Sequence, residues 1–122
     1  MYKRQAAARA EANALVREYP VFMFKNYRGP CSADIVDTVR MVLSQYFAAD
    51  DLRACLIATV NQGDDADTSG ALAGMLAGAT WGTAALPTEW LRRLDRTVAA
   101  EIRAQVSALL QLAGISSAAA IA

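Results

Sequence analysis

Apolar residues recur at helical spacing along almost the whole chain, and no segment alternates convincingly as a strand. Ile35, Val39, Val42 and Tyr46 share one face of a helix predicted over residues 34–47. Val98, Ile102, Val106, Leu109 and Ala113 define one face of a last helix. An Ala-rich run predicts a helix over 5–18, followed by a loop from Tyr19 to Ser32 around Pro20, Gly29 and Pro30. Leu52 to Asn61 reads as a short apolar helix, with Asp50 and Asp51 as the cap before it and Gly63 in its C-cap region. Residues 66–81 form another helix. Pro87 suits the first turn of one carrying Trp90, Leu91 and Leu94, with Thr83 to Leu86 as the connection. Trp81 and Trp90 read as packing residues flanking that connection, and 116–122 as a tail. The predicted class is all-α.

The helix over 66–81 is unusual in what it lacks. Gly70, Gly74 and Gly78 recur every four residues among Ala71, Ala73, Ala77 and Ala79, so one stripe has almost no side chain. Interior glycines cost a helix roughly 1 kcal/mol each relative to Ala, and close approach of a neighbouring element is expected to compensate. Such a stripe also occurs in membrane dimers, but the stretch from Thr68 to Thr88 has few large apolar residues, and no membrane span is expected.

Composition removes several function classes. The 12 basic and 12 acidic residues balance, leaving no basic footprint for nucleic acid. With no histidine, Ser/His and Cys/His triads and His-based zinc sites within this chain are excluded. Cys31 and Cys55 lack metal-ligand spacing and read as reduced thiols. The N-terminal stretch carries Arg9, Glu11 and Arg17 as an amphipathic helix, not a signal peptide, so a cytoplasmic protein is expected.

The chemistry concentrates at Asp64-Asp65-Ala66-Asp67-Thr68. Three carboxylates and a hydroxyl at a helix start gather the hard oxygen ligands that Mg²⁺, Mn²⁺ or Ca²⁺ takes. Asp65 and Thr68 share a helical face if the helix begins near Asp65, and Asp67 can converge from the first turn. A solvated cap is the plainer alternative, since Asp is common at N-caps and in first turns. An EF-hand is ruled out: Asp65, Asp67, Ser69 and Gly70 fit its opening, but its twelfth position is Leu76 where a bidentate Glu is required.

The run GDDADT, then SGALAGMLAGATWG, LPTEW and LRRLD, resembles the C-terminal signature of the ADP-ribosylglycohydrolases, in particular the bacterial branch that acts on nitrogenase reductase. The resemblance extends from about Tyr19 to Arg96 and is strongest at 61–94; YPVF and SADIVDTVRMVLSQYF (32–47) also fit. It implies that residues 6–115 are the C-terminal part of one orthogonal helical domain. The implied reaction is removal of ADP-ribose from a modified protein side chain, with arginine the common linkage and nitrogenase reductase a candidate substrate. It implies a dinuclear Mg²⁺ or Mn²⁺ site with metal ligands at Asp65, Asp67 and Thr68. Asp64 stands where many members have Gly and is expected to cap the helix or to support the ligands from behind. Substrate contacts are expected around Ser32 and Ile35, with Asp34 where the family carries an aromatic. Tyr27 lies in the loop where the family places substrate contacts, and either stacks on adenine or is a surface tyrosine.

The family's other ligands, a Thr-Asp-Asp cluster and a Glu, lie in an N-terminal half, and no second acidic cluster precedes residue 34 here. The general acid or base is expected there too, so no catalytic residue is assigned in this chain. The opening MYKRQ is what the codons GTG TAT AAG AGA CAG encode from a GTG start, a string matching the end of a transposase-type sequencing adapter. Residues 1–5 are therefore expected to be a non-native start. Two function classes follow: part of a hydrolase that is inactive without its other half, or a non-catalytic relative serving as an interaction module.

Overall fold

The computed structural model describes residues 2–115, and the predicted tail at 116–122 lies outside them. The described residues form six α-helices and no strand: α1 (Tyr2–Glu18), α2 (Ile35–Ala48), α3 (Leu52–Val60), α4 (Ala66–Trp81), α5 (Thr88–Arg93) and α6 (Arg96–Leu112). Single 3₁₀ turns lie at Pro20–Phe22 and Thr83–Ala85. The chain divides into two compact units, residues 1–85 and 86–122.

Aspartate side chains cap three of the six described helices. Asp34 precedes α2 and accepts from the backbone N–H groups of Val36 and Asp37. Asp51 accepts from Ala54 at the start of α3, as the sequence predicts, and Asp95 accepts from Thr97 and Val98 at the start of α6. Each satisfies N–H groups that have no partner inside the helix. Gly63 and Gly82 close α3 and α4 with φ of +74° and +79°, backbone that favours glycine.

In the first unit, α4 packs most extensively on α3 and next on α2. Its fully buried column is Ser69, Ala73 and Ala77, each 0% exposed, spaced one turn apart. Small side chains there let the neighbouring helices close onto Met41, Tyr46, Leu52, Cys55 and Thr59, all buried in α2 and α3. The glycines flank this column and differ from one another. A Cβ at Gly70 would come 3.2 Å from Val60 Cγ2 and one at Gly74 would come 3.7 Å from Leu56 Cδ2, but one at Gly78 would meet nothing within 4 Å. Of the three glycines, then, only Gly70 and Gly74 face a neighbouring side chain closely.

A polar and aromatic contact fixes the other end of α4. Thr80 donates to the Leu76 carbonyl at 2.9 Å, leaving its oxygen to accept from the Tyr46 hydroxyl at 2.6 Å. Trp81 meets the Tyr46 ring edge-on, centroids 5.9 Å apart, in the packing role the sequence suggested. The helix α1 begins three residues before the predicted start. It adds Ala12 and Val16 to a second cluster with Phe24, packed by Phe22, Leu43 and Phe47. Arg9 ties it to α2 by donating to the Phe47 carbonyl at 3.0 Å and lying 4.4 Å over the Phe47 ring.

Two apolar surfaces remain open. Val39, Val42 and Leu43 of α2 and Leu72, Met75 and Leu76 of α4 line a groove of about 200 Å³, with Met75 70% exposed. In the second unit, the predicted face of α6 forms, and Val98, Ile102, Val106 and Leu109 are all exposed. In that unit α5 stops at Arg93, so Leu94 falls just outside it as the C-cap.

Met75→Lys should leave stability within about 0.5 kcal/mol of the parent while lowering dye binding to exposed apolar surface and reducing self-association. Unchanged dye fluorescence and sedimentation would show that the groove is not the exposed surface that matters. Gly78→Ala should stabilise the chain by about 0.5–1 kcal/mol in urea titrations, because it restores helix propensity and meets no neighbour. Gly70→Ala should gain less, since Val60 has to shift to admit it.

Candidate metal centre and its supporting loop

The acidic turn sits where α3 ends and α4 begins. Asp64 has φ of +54°, a left-handed conformation that glycine enters freely and Asp tolerates better than most residues. That is a physical reason for a glycine to serve equally well at this position. Asp65 then occupies the N-cap of α4, yet its side chain makes no capping hydrogen bond, unlike Asp34, Asp51 and Asp95. The plain cap reading therefore does not account for the Asp65 carboxylate.

Asp67, in the first turn of α4, is held below the ordinary carboxyl value of 3.8. The Thr68 backbone N–H is the main cause, followed by a hydrogen bond with the Asp65 side chain and by its own N–H, with desolvation opposing. Asp65 and Asp67 thus lie within hydrogen-bond reach of each other, an approach that favours a proton or a cation between them. Asp67 and Thr68 are exposed and Asp65 half-buried. Among the described residues, no three His, Cys, Asp or Glu side chains converge on one point, so Asp65 and Asp67 with the Thr68 hydroxyl make a partial oxygen set. Asp64, on the preceding residue, is exposed.

A loop from the other side of the unit holds this turn. The Asp65 N–H donates to the Cys31 carbonyl at 3.0 Å, and Cys31 Sγ lies 3.0 Å from Ser69 Oγ, both side chains buried. Next to Cys31, Ser32 donates to Asp37 Oδ2 at 2.7 Å, and its carbonyl accepts from Thr38 Oγ1 at 3.0 Å. The Tyr27 hydroxyl lies 2.9 Å from both Asp37 Oδ1 and the Pro30 carbonyl, its one proton divided between two acceptors. The Arg40 guanidinium stands 4.4 Å over the Tyr27 ring, and a Cβ on Gly29 would overlap the phenol end of that ring. These contacts occupy one face of Tyr27 and its hydroxyl. Desolvation first, then the hydrogen bond to Asp37, push the phenol above its ordinary 10.0, whereas the Ser32 and Tyr27 hydroxyls hold the Asp37 carboxyl below 3.8.

Of the residues singled out in the sequence, Asp65, Asp67 and Thr68 come together on one turn, and Ser32 adjoins them through Cys31. Tyr27 is directed to Asp37. Ile35, the first residue of α2, is 71% exposed and turned to solvent. Cys31, Asp37 and Ser69 were not singled out for the site. Only Asp37 carried a signal, an acid in the first turn of a helix already capped by Asp34.

The chain is 58% identical over 109 residues to the ADP-ribosyl-[dinitrogen reductase] glycohydrolase of Rhodospirillum rubrum, an alignment covering 89% of this chain and 37% of that protein. It is 33% identical over 63 residues to the ADP-ribosylarginine hydrolase Tri1 of Pseudomonas putida (strain GB-1), covering 52% of this chain and 17% of that protein. The chain therefore spans well under half the length of the curated relatives it matches. No described helix is long and apolar enough to cross a membrane. With the ADP-ribosylglycohydrolase model matched over residues 2–118 and an all-helical architecture throughout the described residues, the chain belongs to the ADP-ribosylglycohydrolase family.

Proposed function

We propose that this chain is the C-terminal part of a metal-dependent hydrolase that removes ADP-ribose from modified protein side chains, arginine in particular, with nitrogenase reductase as the substrate. The observation that carries this reading is the 58% identity to the Rhodospirillum rubrum enzyme across 89% of the chain. A cytoplasmic location accords with such a substrate.

The donor set fits Mg²⁺ or Mn²⁺: it is all hard oxygen, and the Asp65 carboxylate caps no N–H group and lies beside that of Asp67. Asp65, Asp67 and Thr68 would hold the ion from one turn of α4. Bound there, the metal supplies Lewis-acid polarisation of the ribose hydroxyls and of an attacking water. The chain's own contribution is orientation. Asp67 stays ionised because backbone N–H groups favour its charged form, so it is ready to ligate without first losing a proton. Asp64 turns the chain into the cap position, and Asp65 is fixed through its backbone to Cys31. A non-catalytic relative acting as an interaction module is the second reading, favoured by the incomplete ligand set among the described residues.

Two proteins test this: the chain alone, and a chimera in which it replaces the matching segment of the Rhodospirillum rubrum enzyme. Assayed on an arginine-ADP-ribosylated peptide, the chimera should release ADP-ribose in a manner dependent on Mn²⁺ or Mg²⁺ and silenced by EDTA. The chain alone should not. In the chimera, Asp67→Ala should lower turnover by at least about 100-fold with unchanged helical circular dichroism. Full turnover in that variant would remove Asp67 from the site, and an inactive chimera that still binds Mn²⁺ would favour the interaction module.

A further inference from the structure

The carboxylate of Asp37 has no task within its own helix, because Asp34 already accepts from the free N–H groups at the start of α2. Both of its oxygens are instead spent on the preceding loop, Oδ2 on Ser32 and Oδ1 on Tyr27. Thr38 adds a third tie, to the Ser32 carbonyl. Residues 31 and 32 lie outside any helix, and these bonds are what hold them against α2. Cys31 then reaches across to α4 at two points, its carbonyl to the Asp65 N–H and its thiol to Ser69. Those two points bracket Asp67 and Thr68. The left-handed Asp64 directly before them gives the turn a reason to relax if the bracket is loosened.

We propose that Asp37 is a positioning residue for the acidic turn: through Ser32 and Tyr27 it fixes the backbone at Cys31, which in turn sets the direction of Asp65, Asp67 and Thr68. This rests on the metal-site reading above for what the turn does, but not for how the turn is held. The groups facing Asp37 are Ser32, Tyr27 and Arg40, and neither Asp65 nor Asp67 bonds to it, so its influence is mechanical and not a direct ionic contact.

Amide hydrogen exchange on the whole chain decides the positioning claim without any metal. In Asp37→Ala, exchange at the Asp65 amide should quicken by about tenfold or more, while the Cys55 and Thr59 amides in α3 keep their rates. Tyr27→Phe should show a smaller change at the same place, and Asp37→Asn, which keeps one acceptor oxygen, should fall between. Equal acceleration at every amide, or none at Asp65, overturns the proposal. Should Asp37→Ala fail to fold, the same comparison in Asp37→Asn and Tyr27→Phe decides it. Ultraviolet titration supplies a second readout: the Tyr27 phenol, identified by difference against Tyr27→Phe, should ionise above 10.0 in the parent and closer to 10.0 in Asp37→Asn. The Tyr27 contribution is therefore complete below pH 10.0 and lost as pH rises through its raised value. Binding of Mn²⁺ alone by the chimera described above, followed by electron paramagnetic resonance, separates the two claims. Weaker binding in its Asp37→Ala form, with none in Asp67→Ala, supports both. An absence of binding in the unsubstituted chimera removes the metal reading and leaves the exchange result to judge the positioning.

Discussion

The close approach of α4 to its neighbours is the constraint on which the first unit depends. Ser69, Ala73 and Ala77 present so little side chain that α3 and α2 can pack against the helix backbone, burying Cys55, Thr59 and Met41. Larger residues in this column would force the helices apart, and overpacking of a filled core typically costs about 1–3 kcal/mol. The same column ends at Ser69, whose hydroxyl meets the Cys31 thiol. One requirement, small residues on one face of α4, thus sets both the helix packing and the place where the loop grips the acidic turn.

Electrostatics explains why that grip matters. Asp64, Asp65 and Asp67 crowd like charges at a helix start, where the helix dipole offsets part of the repulsion. Elsewhere an aspartate at such a start is fully employed in capping, as at Asp34, Asp51 and Asp95. At α4 the backbone is restrained instead by the Cys31 carbonyl, and the Asp65 side chain is released from that duty. The first-turn N–H groups of Asp67 and Thr68 are met by the Asp67 carboxylate, so the Asp65 side chain is not spent on capping and lies beside Asp67 instead.

Much of this was legible in the sequence for local reasons. The limits of α4 follow from Asp65 and Gly82, and Asp51 and Gly63 bound α3 much as their chemistry suggests. The acidic turn is contiguous, so its residues could be picked out without knowing the fold. What could not be read is the support: Cys31 meets Ser69 across 38 positions, and no periodicity links a loop thiol to a helix hydroxyl. The glycine pattern also misled in part, because a regular repeat suggests a continuous seam, whereas Gly78 faces open space. Packing partners, and not spacing, decide which small residues are used.

The acidic turn and the open groove have a common physical logic. Mg²⁺ takes about six oxygen ligands in near-octahedral geometry, and one helical turn with two carboxylates and a hydroxyl supplies a minority of them. The groove lined by Val39, Val42, Leu72 and Met75 leaves apolar side chains of α2 and α4 in water, where burial would gain about 25 cal/mol per Å². Both features lie on α2 and α4 or at their starts. Under the proposed metal reading, Asp37 and Cys31 would hold Asp65, Asp67 and Thr68 in place before an ion arrives. Preorganisation of that kind lowers the ordering cost of binding, and it gives a reason to fix a surface carboxylate so firmly to the backbone behind it.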